Sequence, residues 1–116
     1  MKILIIDDNS SITTALSKFL KFKGFDCVSV NDGRNGLEMI RNGSYDIVLL
    51  DLAMPDFTGH DVIEGLVKEN KIKDQKVVVL TASVLSKDEE KKLLDFGVYS
   101  IQRKPMDVST LVEVMS

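Results

Sequence analysis

Between Asp46 and Asp51 the chain reads Ile47-Val48-Leu49-Leu50, four apolar residues in succession with no polar position left for solvent on either face. A half-exposed strand alternates; a run that is dry on both sides belongs inside a parallel sheet. Parallel neighbours need crossovers of a dozen or more residues, usually helices. This one run therefore commits the chain to an α/β plan. Pro55 and Gly59 break the chain just beyond it, which sets Asp51 at the strand's carboxyl end. Open α/β sheets place their ligand crevices along that edge. Taken by itself, Asp51 reads either as a strand-end cap or as a carboxylate placed for chemistry.

The remaining segments repeat the same grammar. Ile3 to Ile6 is a second dry strand, ending abruptly at Asp7-Asp8. Asn9-Ser10-Ser11 offers N-cap chemistry, and Ile12, Ala15, Leu16, Phe19 and Leu20 follow at helical spacing until Gly24. Phe25 to Val30 reads as the next strand. Asp32-Gly33 opens a short helix with Leu37 and Ile40 facing inward, closed by Asn42-Gly43. After the central strand, Val62, Ile63, Leu66 and Val67 form a third helix that fades into a polar stretch from Lys68 to Lys76. Val77 to Leu80 is a fourth buried strand, ending in Thr81-Ala82-Ser83. Ser86-Lys87-Asp88-Glu89 matches a capping box for a helix that stops at Gly97. Tyr99 to Gln102 is a brief fifth strand, Lys104-Pro105 follows, and Val108, Leu111, Val112 and Met115 give a last amphipathic helix.

Strands and helices in strict alternation imply a (βα)5 doubly wound, three-layer parallel sheet with right-handed crossovers and helices on both faces. The first, third and fourth strands are the most apolar and belong in the middle, which the order 2-1-3-4-5, flavodoxin-like, satisfies. That order brings Asp7-Asp8 and Asp51 to one mouth.

Composition narrows the function. The 116 residues are expected to form one domain, residues 1–116, large enough to bury a core without staples. A net charge of −3 offers no basic field for nucleic acid or an anionic membrane. No apolar stretch reaches membrane-spanning length, and none resembles a signal peptide. The single Cys27 excludes an internal disulfide, fits a reducing, cytoplasmic setting, and reads as a small buried hydrophobe.

Three carboxylates at one mouth repel one another unless a counter-ion joins them. A hard divalent cation such as Mg²⁺ resolves this with carboxylate oxygens, waters and a phosphate. Thr81, ending the fourth strand, brings a hydroxyl to the same edge, and Lys104, after the fifth, brings a fixed positive charge. Such a set suits a phosphoryl group in transfer, with Asp51 as the carboxylate nucleophile. Singly, each residue has a plainer reading: a capping acid pair, a strand-end threonine, a solvated lysine.

Ile5-Ile6-Asp7-Asp8, Asp46 to Asp51 with Met54-Pro55 and Gly59, Val79-Leu80-Thr81-Ala82, and Lys104-Pro105 together resemble the receiver domain of two-component response regulators, the chemotaxis receiver included. The resemblance spans essentially the whole chain. It implies that Asp51 accepts phosphate from a phosphohistidine on a sensor histidine kinase or a histidine phosphotransfer domain. It implies a metal site of Asp7, Asp8, Asp51 and the Ala53 backbone carbonyl, holding Mg²⁺ or Mn²⁺ in its place. Lys104 would bind phosphoryl oxygens, Thr81 would turn inward to bond one, and the Lys104-Pro105 peptide would be cis. The first helix near Ser10 to Leu16 would meet the phosphodonor. The face of the fourth and fifth helices would meet an output partner or domain, although Lys87, Lys91 and Lys92 there read equally as a solvated face.

One position departs from the family pattern. Ile101 stands where receivers carry a Tyr or Phe, so switching is expected to move the loop after Thr81 and the helix from Ser86 to Leu94 without an aromatic rotamer change. Tyr99 is a poor substitute, two residues away. Ala53 and Ser83 stand where receivers set phosphoryl lifetime, and Met54 reads as loop packing. Competing readings are weaker. An FMN binder needs a phosphate-cradling loop where Asp7-Asp8 stands. An aspartyl-phosphatase-like hydrolase needs its nucleophile after the first strand in an Asp-x-Asp pattern, whereas Asp7 and Asp8 are adjacent and no cap insertion offers a substrate site. A phosphate-independent pseudo-receiver has no reason to keep all five functional side chains. The expected product is a signalling switch that catalyses its own phosphorylation and dephosphorylation rather than an enzyme, standing alone or cut from a larger regulator or hybrid kinase.

Overall fold

The structure, a computed structural model, describes residues 1–104 and 108–115. Strands and helices alternate along it: β1 (Lys2–Ile6), α1 (Ser10–Phe22), β2 (Asp26–Val30), α2 (Gly33–Asn42), β3 (Ile47–Asp51), α3 (Gly59–Lys68), β4 (Lys76–Thr81), α4 (Lys87–Phe96), β5 (Ser100–Arg103) and α5 (Val108–Met115). All four ladders are parallel, and the strand order is β2-β1-β3-β4-β5. This is the flavodoxin-like, doubly wound arrangement that the apolar runs imply.

The period-2 alternation of each central strand divides its side chains between two cores. Leu4, Ile6, Val48, Leu50, Val77 and Val79 pack on one face with Leu37, Val62, Ile63, Leu66 and Leu93 from α2, α3 and α4. Ile3, Ile5, Ile47, Leu49, Val78 and Leu80 pack on the other with Leu20 of α1 and Leu111 of α5. Each fully buried aliphatic side chain contributes about 1.5–3 kcal/mol, so the sheet's middle is rigid and the strand ends are fixed in relation to one another. The ladder sets Ile6 beside Leu50, Leu50 beside Val79, and Asp51 beside Leu80.

Local chemistry differs from the sequence reading at several ends. The third helix begins at Gly59, ahead of its first apolar residue, because Thr58 and Asp61 form a reciprocal capping box there. At α4 only half of the expected box is present. Ser86 Oγ accepts the Glu89 N–H at 3.1 Å, whereas the Glu89 carboxylate takes the Ser86 hydroxyl at 3.4 Å. Gly97, at φ 116°, caps α4 in the left-handed region, and Asp32 caps α2 by accepting the Asn35 N–H at 2.9 Å. Phe25 precedes β2 and packs on the second core, and β5 runs one residue later than expected at each end. Cys27 is half-buried, and burial pushes its thiol pKa up. Met54 is buried and packs in the first core, as its loop position suggested.

Candidate phosphoacceptor site

The carboxyl ends of β1, β3 and β4 and the residue after β5 converge at one edge. Asp7 follows β1, Asp51 ends β3, Thr81 ends β4, and Lys104 follows β5. Asp7, Asp51 and Thr81 are buried, and Asp8 is exposed. Carboxylate oxygens of Asp7, Asp8 and Asp51 lie within 4.8 Å of one another. The four-strand convergence that the sequence implied is present.

Lys104 is the cation of this edge. Its Nζ donates to Asp7 Oδ2 at 2.6 Å and lies 3.6 Å from Asp51 Oδ1. Its backbone N–H donates to the Thr81 carbonyl at 2.7 Å, which ties the lysine to the end of β4. The Lys104-Pro105 peptide geometry lies outside the described residues.

Asp51 is held from its own loop, where the Ala53 N–H donates to Oδ1 at 3.3 Å. Its pKa is raised, first by burial and then by the negative charge of Asp7, with a smaller contribution from Asp8. Lys104 and the Ala53 N–H pull the other way without cancelling this. Gly59 presses against the base of the loop. A Cβ there would overlap the Asp51 carbonyl oxygen and sit 2.7 Å from Leu52 Cα, so only glycine lets α3 start this close to the end of β3.

Thr81 Oγ1 accepts the Ser83 N–H at 3.1 Å. That bond uses an oxygen lone pair and leaves the hydroxyl hydrogen free to donate elsewhere. Asp7 carries further contacts that sequence reasoning did not assign. Its Oδ1 accepts the Asn9 N–H at 3.0 Å, and its backbone carbonyl accepts Asn31 Nδ2 at 2.8 Å. Asn31 immediately precedes the Asp32-Gly33 helix start, and that turn chemistry was its only sequence signal.

The donor set is all oxygen: three clustered carboxylates, with a surplus of negative charge that one lysine does not neutralise. Those are the ligands a hard cation such as Mg²⁺ selects, so the residues fit this group. Transition metals that prefer imidazole or thiolate find neither in the cluster.

Residues 3–116 match the response regulator receiver domain family. The chain belongs to that family. This receiver is 30% identical over 113 residues to the cell cycle response regulator CtrA of Brucella ovis, a match covering 97% of this chain and 47% of that protein. The receiver thus spans about half the length of the curated relatives it matches. It is also similar to the receiver domain of a Francisella response regulator (26% identity, TM-score 0.87, covering 97% of this chain and 92% of the other). The response regulator TrrA of Thermotoga maritima, solved in complex with Mg²⁺-BeF, resembles it at 28% identity and a TM-score of 0.80, over 97% and 93% of the two chains.

Ile101 is half-buried and packs against the first core beside its ladder partner Val79. Tyr99 lies outside β5, 53% exposed, and its N–H bonds to the Val77 carbonyl near the start of β4, toward the opposite end of the strand from Thr81. Its ring lies 4.1 Å from the Lys76 ammonium. The aromatic residue nearest in sequence to position 101 therefore sits toward the far edge of the sheet.

Proposed function

We propose that this receiver is the phosphoacceptor module of a two-component phosphorelay in the cytoplasm, with Asp51 as the residue that takes the phosphoryl group. The donor is a phosphohistidine on a sensor histidine kinase or a histidine phosphotransfer domain. One observation carries the reading: a buried carboxylate at the end of β3 stands among two further acids with a lysine ammonium 3.6 Å from its oxygen. Burial and the charge of Asp7 raise the pKa of Asp51 in the metal-free chain, and its carboxylate is the nucleophile of this reading.

In the step, an Asp51 oxygen attacks phosphorus and the P–N bond breaks. The electron pair returns to the imidazole nitrogen, and an aspartyl phosphate forms. Lys104 Nζ is placed to leave Asp7 for a phosphoryl oxygen, and the Thr81 hydroxyl hydrogen is a second donor at the same rim. Asp7, Asp8, Asp51 and the Ala53 carbonyl would hold Mg²⁺, which when bound neutralises charge on the phosphoryl oxygens. Mn²⁺ is the alternative occupant. The chain acts as a switch that catalyses its own phosphorylation and hydrolysis, not as an enzyme with an independent substrate. TrrA in complex with Mg²⁺-BeF supports the choice of ion.

The test is incubation of wild type and Asp51→Asn with acetyl phosphate and MgCl₂. Wild type should gain a base-labile phosphoryl mass, gain none when EDTA is present throughout the incubation, and Asp51→Asn should gain none in either case. Equal labelling of both proteins would overturn the assignment of Asp51.

A further inference from the structure

Asn31 is a loop residue with a side chain committed in two directions. One amide hydrogen goes to the Asp7 carbonyl at 2.8 Å, the other to Thr13 Oγ1 at 3.1 Å. Thr13 is itself buried in α1, where its hydroxyl donates to the Ser10 carbonyl at 3.1 Å. Both hydrogens of the amide are thus used, and the rotamer is fixed from two elements.

The position follows from the ladder. Ile6 pairs with Val30, and the Asp7 N–H still reaches the Val30 carbonyl at 3.2 Å. A parallel ladder would next give the Asp7 carbonyl a backbone N–H from residue 32. By then β2 has ended and Asp32 is the N-cap of α2. The Asn31 side chain supplies the missing rung.

That rung bears on the site through peptide planarity. The Asp7 carbonyl and the Asp8 N–H and Cα lie in one rigid plane. Fixing the carbonyl therefore fixes the direction in which Asp8 leaves the strand. Asp7 has both carboxylate oxygens engaged, by the Asn9 N–H and by Lys104. Asp8 is the exposed member of the triad and depends on its backbone for its place.

We infer that Asn31 is a positioning residue for cation binding, aiming Asp8 into the acidic triad by holding the Asp7–Asp8 peptide from the end of β2. The inference rests on the reading of this edge as the Mg²⁺-dependent phosphoacceptor site. Loss of a hydrogen bond that orients a ligand typically weakens metal affinity by about 10–100-fold. Asn31 touches the peptide rather than the carboxylate, so the lower end applies.

The experiment is calorimetric titration of MgCl₂ into the full chain, for wild type, Asn31→Ala, Asn31→Leu and Asp8→Ala, alongside melting in EDTA. Asn31→Ala should raise the Mg²⁺ dissociation constant about tenfold and melt close to wild type in EDTA. Asn31→Leu, which keeps the side-chain bulk but not the donor, should show the same loss, and either variant suffices if the other fails to fold. At saturating MgCl₂ the rate of acetyl phosphate labelling should return to within about twofold of wild type, because only affinity has changed. Wild-type Mg²⁺ affinity in the Asn31 variants, with binding abolished in Asp8→Ala, would overturn the inference alone. Undiminished binding in Asp8→Ala would overturn the metal site and the inference with it.

Discussion

The Lys104 ammonium is bonded to Asp7, at 2.6 Å, rather than to Asp51, which it approaches only to 3.6 Å. Asp7 is thus the counter-ion of Lys104 and holds the ammonium beside Asp51. Removing Lys104 would leave a buried carboxylate with one backbone donor and two like-charged neighbours. Breaking a fully buried pair costs roughly 3–5 kcal/mol. The Lys104 side chain keeps 19% exposure, so Lys104→Met is expected to cost less, about 2 kcal/mol. Urea unfolding in EDTA checks this, and a variant as stable as wild type would mean that the pair contributes nothing.

Asp51→Asn should stabilise the metal-free protein in a pH-dependent way. The folded-state pKa of Asp51 lies above its ordinary value of 3.8, chiefly through burial. An acid with a raised folded pKa binds its proton more tightly when folded. Wild-type stability therefore falls as pH rises from the ordinary carboxylate range through the raised folded value. The amide variant lacks this loss. Its advantage should be near zero below pH 3.8 and complete once pH exceeds the folded pKa. Chemical unfolding across that range in EDTA measures it, and an advantage independent of pH would refute the electrostatic origin.

Magnesium should act on the same repulsion. An ion bound only by the folded state at one hundred times its dissociation constant adds about 2.7 kcal/mol, or roughly 10 °C in a domain this size. Asp8→Ala should remove most of that increment. In EDTA it should melt above wild type, since one of three repelling charges is gone. Thermal melts with and without MgCl₂ decide it: a variant that still gains the full increment would place the cation elsewhere.

The sequence revealed the strand runs because parallel central strands are dry on both faces, and Ile3–Ile6, Ile47–Leu50 and Val77–Leu80 show no other pattern. Asp7, Asp8, Asp51 and Thr81 were legible as candidate site residues because they stand where such a run stops, and Lys104 because it follows the short fifth strand. Asn31 was not, because its partner lies 24 positions away and the contact exists only once β1 and β2 are in register. The capping box at Thr58 was missed because Asp61 replaces the usual Glu or Gln. The environment of Ile101 depended on edge-strand packing that alternation alone does not fix.

Switching should proceed through α4 without an aromatic partner. Leu93 is the buried residue of α4, whereas α3 buries Gly59, Val62, Ile63 and Leu66. A cavity of about 140 Å³ lies between the two helices, lined in part by His60, Glu64, Glu89 and Phe96. Elements with few buried apolar contacts lie at the low-stability end of a domain, so α4 and its approach loop are the parts expected to move on phosphorylation. Beryllofluoride with MgCl₂ should shift amide resonances across residues 82–96 and leave Tyr99 unmoved. Tyr99→Ala should lose its stacking with Lys76, worth about 0.5–1 kcal/mol at an exposed site, and keep the full response. A response abolished in Tyr99→Ala, or resonances of 82–96 unchanged by beryllofluoride, would refute a switch carried by α4 alone.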